Sequence, residues 1–167
     1  KFRQSYELIM NLKDLDLKKP EHQVNLFVPV PHQKGRKIKV CIFCGPEMAE
    51  QAKAVCDKVI LLEEFGRYDK KQAKKLAEEF DYFIAQANVM TKVASAFGRA
   101  LGPRRKMPNP KAGCVVPPNS NLKAIYEKLQ NMINVKVKGG AIIQCAVGNA
   151  EMDANKIAEN IMAIYDA

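Results

Sequence analysis

Two cysteines in Cys41-Ile42-Phe43-Cys44 have the spacing of redox and zinc sites. They lie in an apolar run over 38–44 that reads as a strand, where residues three apart point to opposite faces. No second cysteine pair or nearby cluster completes a zinc site. Cys56, Cys114 and Cys145 bring the count to five. An odd number, mostly in apolar surroundings, predicts buried, inert thiols and a reducing compartment. The two histidines, His22 and His32, have no neighbours resembling a catalytic or metal constellation. His32 stands in a basic loop, which suits a phosphate contact or a plain surface role. Glu63-Glu64 and Glu78-Glu79 lie in charged surroundings and read as solvated. G-x-G-x-x-G, Walker-type, H-E-x-x-H and G-x-S-x-G patterns are all missing. Gly45-Pro46 follows a strand and opens a helix, which is a weak hint of a nucleotide-binding turn. No catalytic residue, metal or cofactor is expected.

The stronger chemical signal is cationic. Residues 82–126 contain no aspartate or glutamate, yet they hold Lys92, Arg99, Arg104, Arg105, Lys106, Lys111 and Lys123. At the centre is a turn, Leu101-Gly102-Pro103-Arg104-Arg105-Lys106-Met107-Pro108-Asn109-Pro110. Proline fixes φ and donates no backbone hydrogen bond, so this stretch predicts a rigid exposed loop. A rigid basic loop without acids suits a polyanion, and nucleic acid is the first partner to consider. Lys18 and Lys19, then Lys34, Arg36 and Lys37, add two further basic loops beside proline or glycine. Net charge is +9 and unevenly spread: nine cations against four acids over 1–45, seven against nine over 46–81. Loops of this kind can follow the phosphates and 2′-hydroxyls of folded RNA. Charge alone leaves RNA and DNA undistinguished.

The elements that must hold these loops alternate in type. With 167 residues, 47% of them hydrophobic, the chain can bury a real core. Apolar spacing over 2–17 suits a short amphipathic helix, although Asp14-Leu15-Asp16-Leu17 leaves a strand open there. Strands are expected at 24–30, 38–44, 59–62 and 82–85, and helices at 47–55, 70–80, 89–97 and 122–132. Lys74 and Lys75 are placed to pair with Glu78 and Glu79 one turn on. Strands separated by helices imply a parallel sheet covered on both faces. Near the end the pattern changes: 134–138 and 141–147 read as strands joined at Gly139-Gly140, followed by a helix over 154–165. The fold class is α/β, with a parallel middle set between more antiparallel ends. That arrangement suggests an inserted domain. No apolar run approaches the ~18 residues needed to span a bilayer. No signal-peptide pattern is present, and the start at Lys1 without methionine reads as a fragment.

The basic turn continues to Lys111-Ala112-Gly113, and this segment resembles the signature of the large-subunit ribosomal protein L-one family. Lys1-Phe2 with Ser5 and Glu7, Pro31-His32 with Gly35, Phe83-Ile84-Ala85-Gln86-Ala87, Val147-Gly148 and the helix near Asn160-Ile161 are similar to it as well. The likeness covers nearly the whole chain and is nearest to archaeal members.

The resemblance implies two domains: an α+β domain built from 1–45 and 142–167 that binds large-subunit rRNA, and an inserted Rossmann-like domain over 46–141 hinged to it. It implies a cytoplasmic ribosomal protein, with no membrane, that sits among other large-subunit components, helps release exit-site tRNA and represses its own mRNA. Carried over by position, Phe2, Ser5, Glu7 and Gly148 match rRNA-contacting or RNA-adjacent positions. Lys1, Lys18, Lys19, His32, Lys37 and Asn149 join them as expected rRNA-facing residues. A buried Glu7 would accept a hydrogen bond from a 2′-hydroxyl or base amine. Arg99, Arg104, Arg105, Lys106 and Lys111 are the expected RNA-facing residues of the second domain. The family usually has glycine where Arg105 stands. Its Thr-Met-Gly motif would lie beyond Ala167, and its leading helix before Lys1. The competing reading is a small α/β enzyme or nucleotide-binding module.

Overall fold

The computed structural model describes residues 4–14, 24–118, 120–137 and 140–167. Its contacts divide the chain into two units: Lys1–Lys37 with Gln130–Ala167, and Ile38–Leu129. These divisions fall at 37/38 and 129/130, whereas the sequence suggested 45/46 and 141/142. The difference has two causes. Strand β3 (Val40–Cys44) pairs in parallel within the central unit, and β7 (Met132–Lys136) pairs antiparallel with β2 (Asn25–Pro29) in the terminal one.

The central unit is a four-stranded parallel sheet in the order β4-β3-β5-β6, with β4 at Lys58–Leu61, β5 at Tyr82–Gln86 and a short β6 at Val115–Val116. Helices α1 (Ala49–Val55), α2 (Lys70–Glu79) and α3 (Met90–Leu101) make the crossovers that parallel strands require. Strand β3 is buried at every position, as its unbroken apolar run predicts for a central strand covered on both sides. Around it, Phe43 packs against Phe97 with ring centroids 4.8 Å apart and against Phe83 at 5.7 Å. Phe65, from the 3-10 turn Leu62–Arg67, meets Phe43 and Phe97 edge-on. Helix α4 (Leu122–Gln130) follows, with Leu122 and Leu129 buried.

The terminal unit contains a correction. The helix expected over 2–17 is, in its described part, strand β1 (Ser5–Asn11). Residues Leu8, Met10 and Leu12 alternate onto the core, while Ser5, Glu7, Ile9 and Asn11 are exposed. The period is two, and the helical spacing of Tyr6, Ile9 and Met10 was coincidental. Strand β1 pairs antiparallel with β8 (Ile142–Asn149). The expected 134–138 and 141–147 strands exist as β7 and β8, but each takes an outer partner, and among the described residues the bridge Val137–Ile143 is what they share. Helix α5 (Ala154–Tyr165) spans the residues anticipated and covers this layer with Ile157, Ile161 and Ile164.

Removing the hub ring of the central sheet tests this packing. Phe43→Ala should cost about 3–5 kcal/mol by leaving a cavity among three aromatic rings, Phe65, Phe83 and Phe97. A urea melt should show a lower midpoint with little change in slope.

Candidate nucleic-acid interface

In the terminal unit the basic loop 31–37 is tied down by two asparagines. Strand β8 carries an extra residue near its end, since Tyr6 pairs with Gly148 but Glu7 pairs with Ala146. Such a bulge leaves backbone groups outside the ladder. The carbonyl of Val147, the residue skipped by this register, accepts from Asn160 Nδ2 at 3.0 Å. The same amide holds His32 in both directions: His32 N–H donates to Asn160 Oδ1 at 3.0 Å, and Asn160 Nδ2 donates to the His32 carbonyl at 3.0 Å. Asn160 is fully buried, so each of these bonds replaces water that cannot reach it.

Further along the loop, Asn149 Nδ2 donates to the Gly35 carbonyl at 3.2 Å, and its Oδ1 accepts from Glu151 N–H at 3.1 Å. Gly35 has φ 74°, and any Cβ there would overlap the Asn149 amide. Only glycine fits. On the outer side, His32 Nε2 meets Glu159 Oε2 at 2.6 Å. The loop carrying Lys34, Arg36 and Lys37 is thus fixed at His32 and Gly35. Burial pushes the Cys145 thiol up. The loop reaches β8 through Asn149, and β1 pairs along the same strand.

The expected rRNA-facing residues separate into groups. Ser5 and Glu7 lie on the exposed side of β1, and Lys37 is exposed. Glu7 is not buried, contrary to expectation, and its Oε2 accepts from Gln144 Nε2 at 2.7 Å across the strand pair. Gly148 lies inside β8; a Cβ there would come within 3.0 Å of Ile157 and 3.2 Å of Met152. Close approach of α5 explains that glycine. Asn149 is buried and acts as a latch, with its amide turned inward. Lys1, Phe2, Lys18 and Lys19 lie outside the described residues. Asn160 was legible only as part of a resemblance, because its role depends on a strand bulge 13 residues earlier and on His32, 128 positions away.

The basic turn of the central unit is also divided. Arg104 donates to Glu78 Oε1 at 2.8 Å and to the Ala100 carbonyl at 3.3 Å. Lys106 Nζ donates to the carbonyls of Ala77 and Phe80 at 2.9 and 2.7 Å. It caps the C-terminus of α2, where carbonyls lack partners and the helix dipole favours a cation. Glu78 and Glu79 are therefore engaged by Arg104 and by Lys39 (3.8 Å), in place of the expected pairing with Lys74 and Lys75.

Between the two anchors, Arg105 is exposed with φ 55°. Arg105 N–H donates to the Gly102 carbonyl at 2.9 Å, and Lys106 N–H to the Leu101 carbonyl at 3.0 Å. These bonds form a Schellman helix end, which places a left-handed residue at position 105. Arg99 and Lys111 are exposed as well.

The competing nucleotide-site reading would use the C-terminal ends of β3 and β5, where the strand order reverses. There the Gly45 N–H, which would face a phosphate, donates to the buried Gln86 Oε1 at 2.9 Å. The chain itself occupies that donor. All five cysteines are buried and free. Burial pushes the Cys56 thiol up to about 12 and the Cys114 thiol to about 11, so neither is an activated nucleophile. Among the described residues no group of three or more His, Cys, Asp or Glu can hold a metal, and no helix is long and apolar enough to cross a membrane.

The described residues thus define an α/β protein whose exposed chemistry is cationic loops on anchored backbones. The Ribosomal protein L1p/L10e family model matches residues 1–167. The chain is 40% identical over 169 residues to the large ribosomal subunit protein uL1 of Thermococcus kodakarensis, covering 99% of this chain and 76% of that protein. It is 41% identical to uL1 of Methanothermobacter thermautotrophicus (98% and 76% covered) and 39% to that of Pyrococcus horikoshii (99% and 75%). The chain belongs to the ribosomal protein L1p/L10e family, and these relatives are ribosomal proteins rather than enzymes.

Two substitutions test the anchors. Asn160→Ala should cost about 2–3 kcal/mol, because it orphans buried backbone groups at Val147 and His32. Amide exchange should speed up at 31–37 more than in β3. Arg105→Gly should do the reverse. The left-handed conformation costs a side-chain residue about 1–2 kcal/mol, and glycine's extra freedom when unfolded returns about 0.5–1 kcal/mol of that. A net gain of about 0.5–1 kcal/mol should appear as a higher melting temperature.

Proposed function

We propose that this protein is a non-enzymatic constituent of the large ribosomal subunit in the cytoplasm, and that it binds large-subunit rRNA through the unit formed by its two chain ends. The observation that carries this reading is the family match over residues 1–167, with relatives named as large ribosomal subunit proteins. The geometry supports it. Exposed Ser5 and Glu7 on β1 and the loop carrying His32 and Lys37 both converge on β8. Pre-fixed loops lose little conformational freedom on binding, which favours a tight complex. Glu7 supplies a carboxylate acceptor for 2′-hydroxyls or base amines, held in place by Gln144. In this proposal Lys1, Phe2, Lys18 and Lys19 also contact rRNA, while Gly148 and Asn149 act through packing and as a latch. Domain roles follow the contact units, with 38–129 as the inserted domain.

On the same reading the protein assists release of exit-site tRNA, lies among other large-subunit components and represses its own mRNA through a mimic of its rRNA site. Binding to a stalk rRNA fragment is the direct test. Affinity should exceed that for unrelated RNA by at least ~10³-fold, and should fall with salt. Glu7→Gln should weaken it about tenfold while leaving the melting temperature unchanged. Equal affinity for unrelated RNA would defeat the proposal.

A further inference from the structure

The turn after α3 places its one strained residue at its most exposed cation. Arg105 sits in the left-handed region, and with Asp14 it is one of two non-glycine residues there among those described. Its neighbours are committed inward, Arg104 to Glu78 and the Ala100 carbonyl, Lys106 to the end of α2. Those anchors and the two Schellman bonds hold the backbone in a conformation that glycine would adopt without strain. Strain over-determined by its surroundings is a pointer to function.

The electrostatic setting narrows the partner. Lys92, Arg99, Lys111 and Lys123 are exposed along the same acid-free segment, and among the described residues none of them makes an ion pair. A guanidinium can grip a phosphate with two parallel hydrogen bonds, which a lysine cannot.

We propose that Arg105 is a direct phosphate contact to the backbone of a folded RNA, and that Arg104 and Lys106 are positioning residues rather than contacts. The choice of RNA among polyanions rests on the ribosomal reading above. The contact is separate from the rRNA grip of the chain ends, so it takes a second RNA segment. A turn with glycine at this position would keep the same backbone and lose the contact.

The experiment uses the protein saturated with stalk rRNA fragment and a fluorescent 16-base-pair RNA hairpin of unrelated sequence, titrated over a salt series. Arg105→Gly and Arg105→Gln should each weaken hairpin binding about 3–10-fold and lower the slope of log affinity against log salt by about 0.7–0.9. Arg105→Lys should keep the slope. Lys106→Met, which leaves the proposed contact charged, should lower affinity without changing the slope.

Unchanged slopes for Arg105→Gly and Arg105→Gln would overturn the proposal, as would no hairpin binding by the parent complex. A slope lost equally in Lys106→Met would overturn the division between contact and positioning residues. Competition by polyglutamate as effective as RNA at equal charge would assign the surface to an acidic protein and overturn it too. Stalk-fragment preference, measured on the same samples, reports the ribosomal reading independently.

Discussion

Buried backbone groups must find partners, and the functional surfaces here are built where they find them outside regular ladders. In the terminal unit the bulge in β8 frees the Val147 carbonyl, and the fully buried Asn160 amide satisfies it. The same side chain has capacity to spare and uses it on both backbone groups of His32. A demand created by strand geometry therefore fixes a basic loop. Losing one partner would leave polar groups stranded in a low-dielectric interior, which is what makes such networks rigid when complete.

The central unit answers the same demand with cations. The open carbonyls at the end of α2 are capped by Lys106, and Gly45 N–H at the sheet's reversal point is taken by Gln86. The first interaction withdraws a lysine from the surface and leaves Arg105 as the exposed tip of the turn. The second occupies the backbone donor that a nucleotide phosphate would need. Charge counting therefore overstates the number of available cations around this turn, because hydrogen-bond demand from the adjacent helix takes two of the three.

The sequence was legible where local signals and tertiary context agreed. Strand β3 announced itself as a buried central strand through an unbroken apolar run, and α5 through one apolar stripe. It misled at β1, where three apolar residues fell at helical spacing although the pairing with β8 imposes a period of two. At the unit boundaries the contact units divide at 37/38 and 129/130, against the expected 45/46 and 141/142. Partner choice by β3 and β7 is a long-range decision that no local pattern records. The described basic loops, at 31–37 and after α3, were legible as loops from proline and glycine. Which of their cations face solvent was not, because that depends on Glu78 and the end of α2.

By itself, the sequence determined the family, the α/β class, the positions of most elements and the existence of an acid-free cationic segment. Each of these follows from residue type, local periodicity or motif order. Only the tertiary structure decided that Asn160 and Asn149 fasten the loop 31–37, that Glu7 is exposed beside Gln144, and that Arg104 and Lys106 turn inward while Arg105 stays out. The reason is physical. Hydrogen-bond demand and steric room at a given atom are set by neighbours up to 137 positions away in the chain, and they exist only once those neighbours have been brought together.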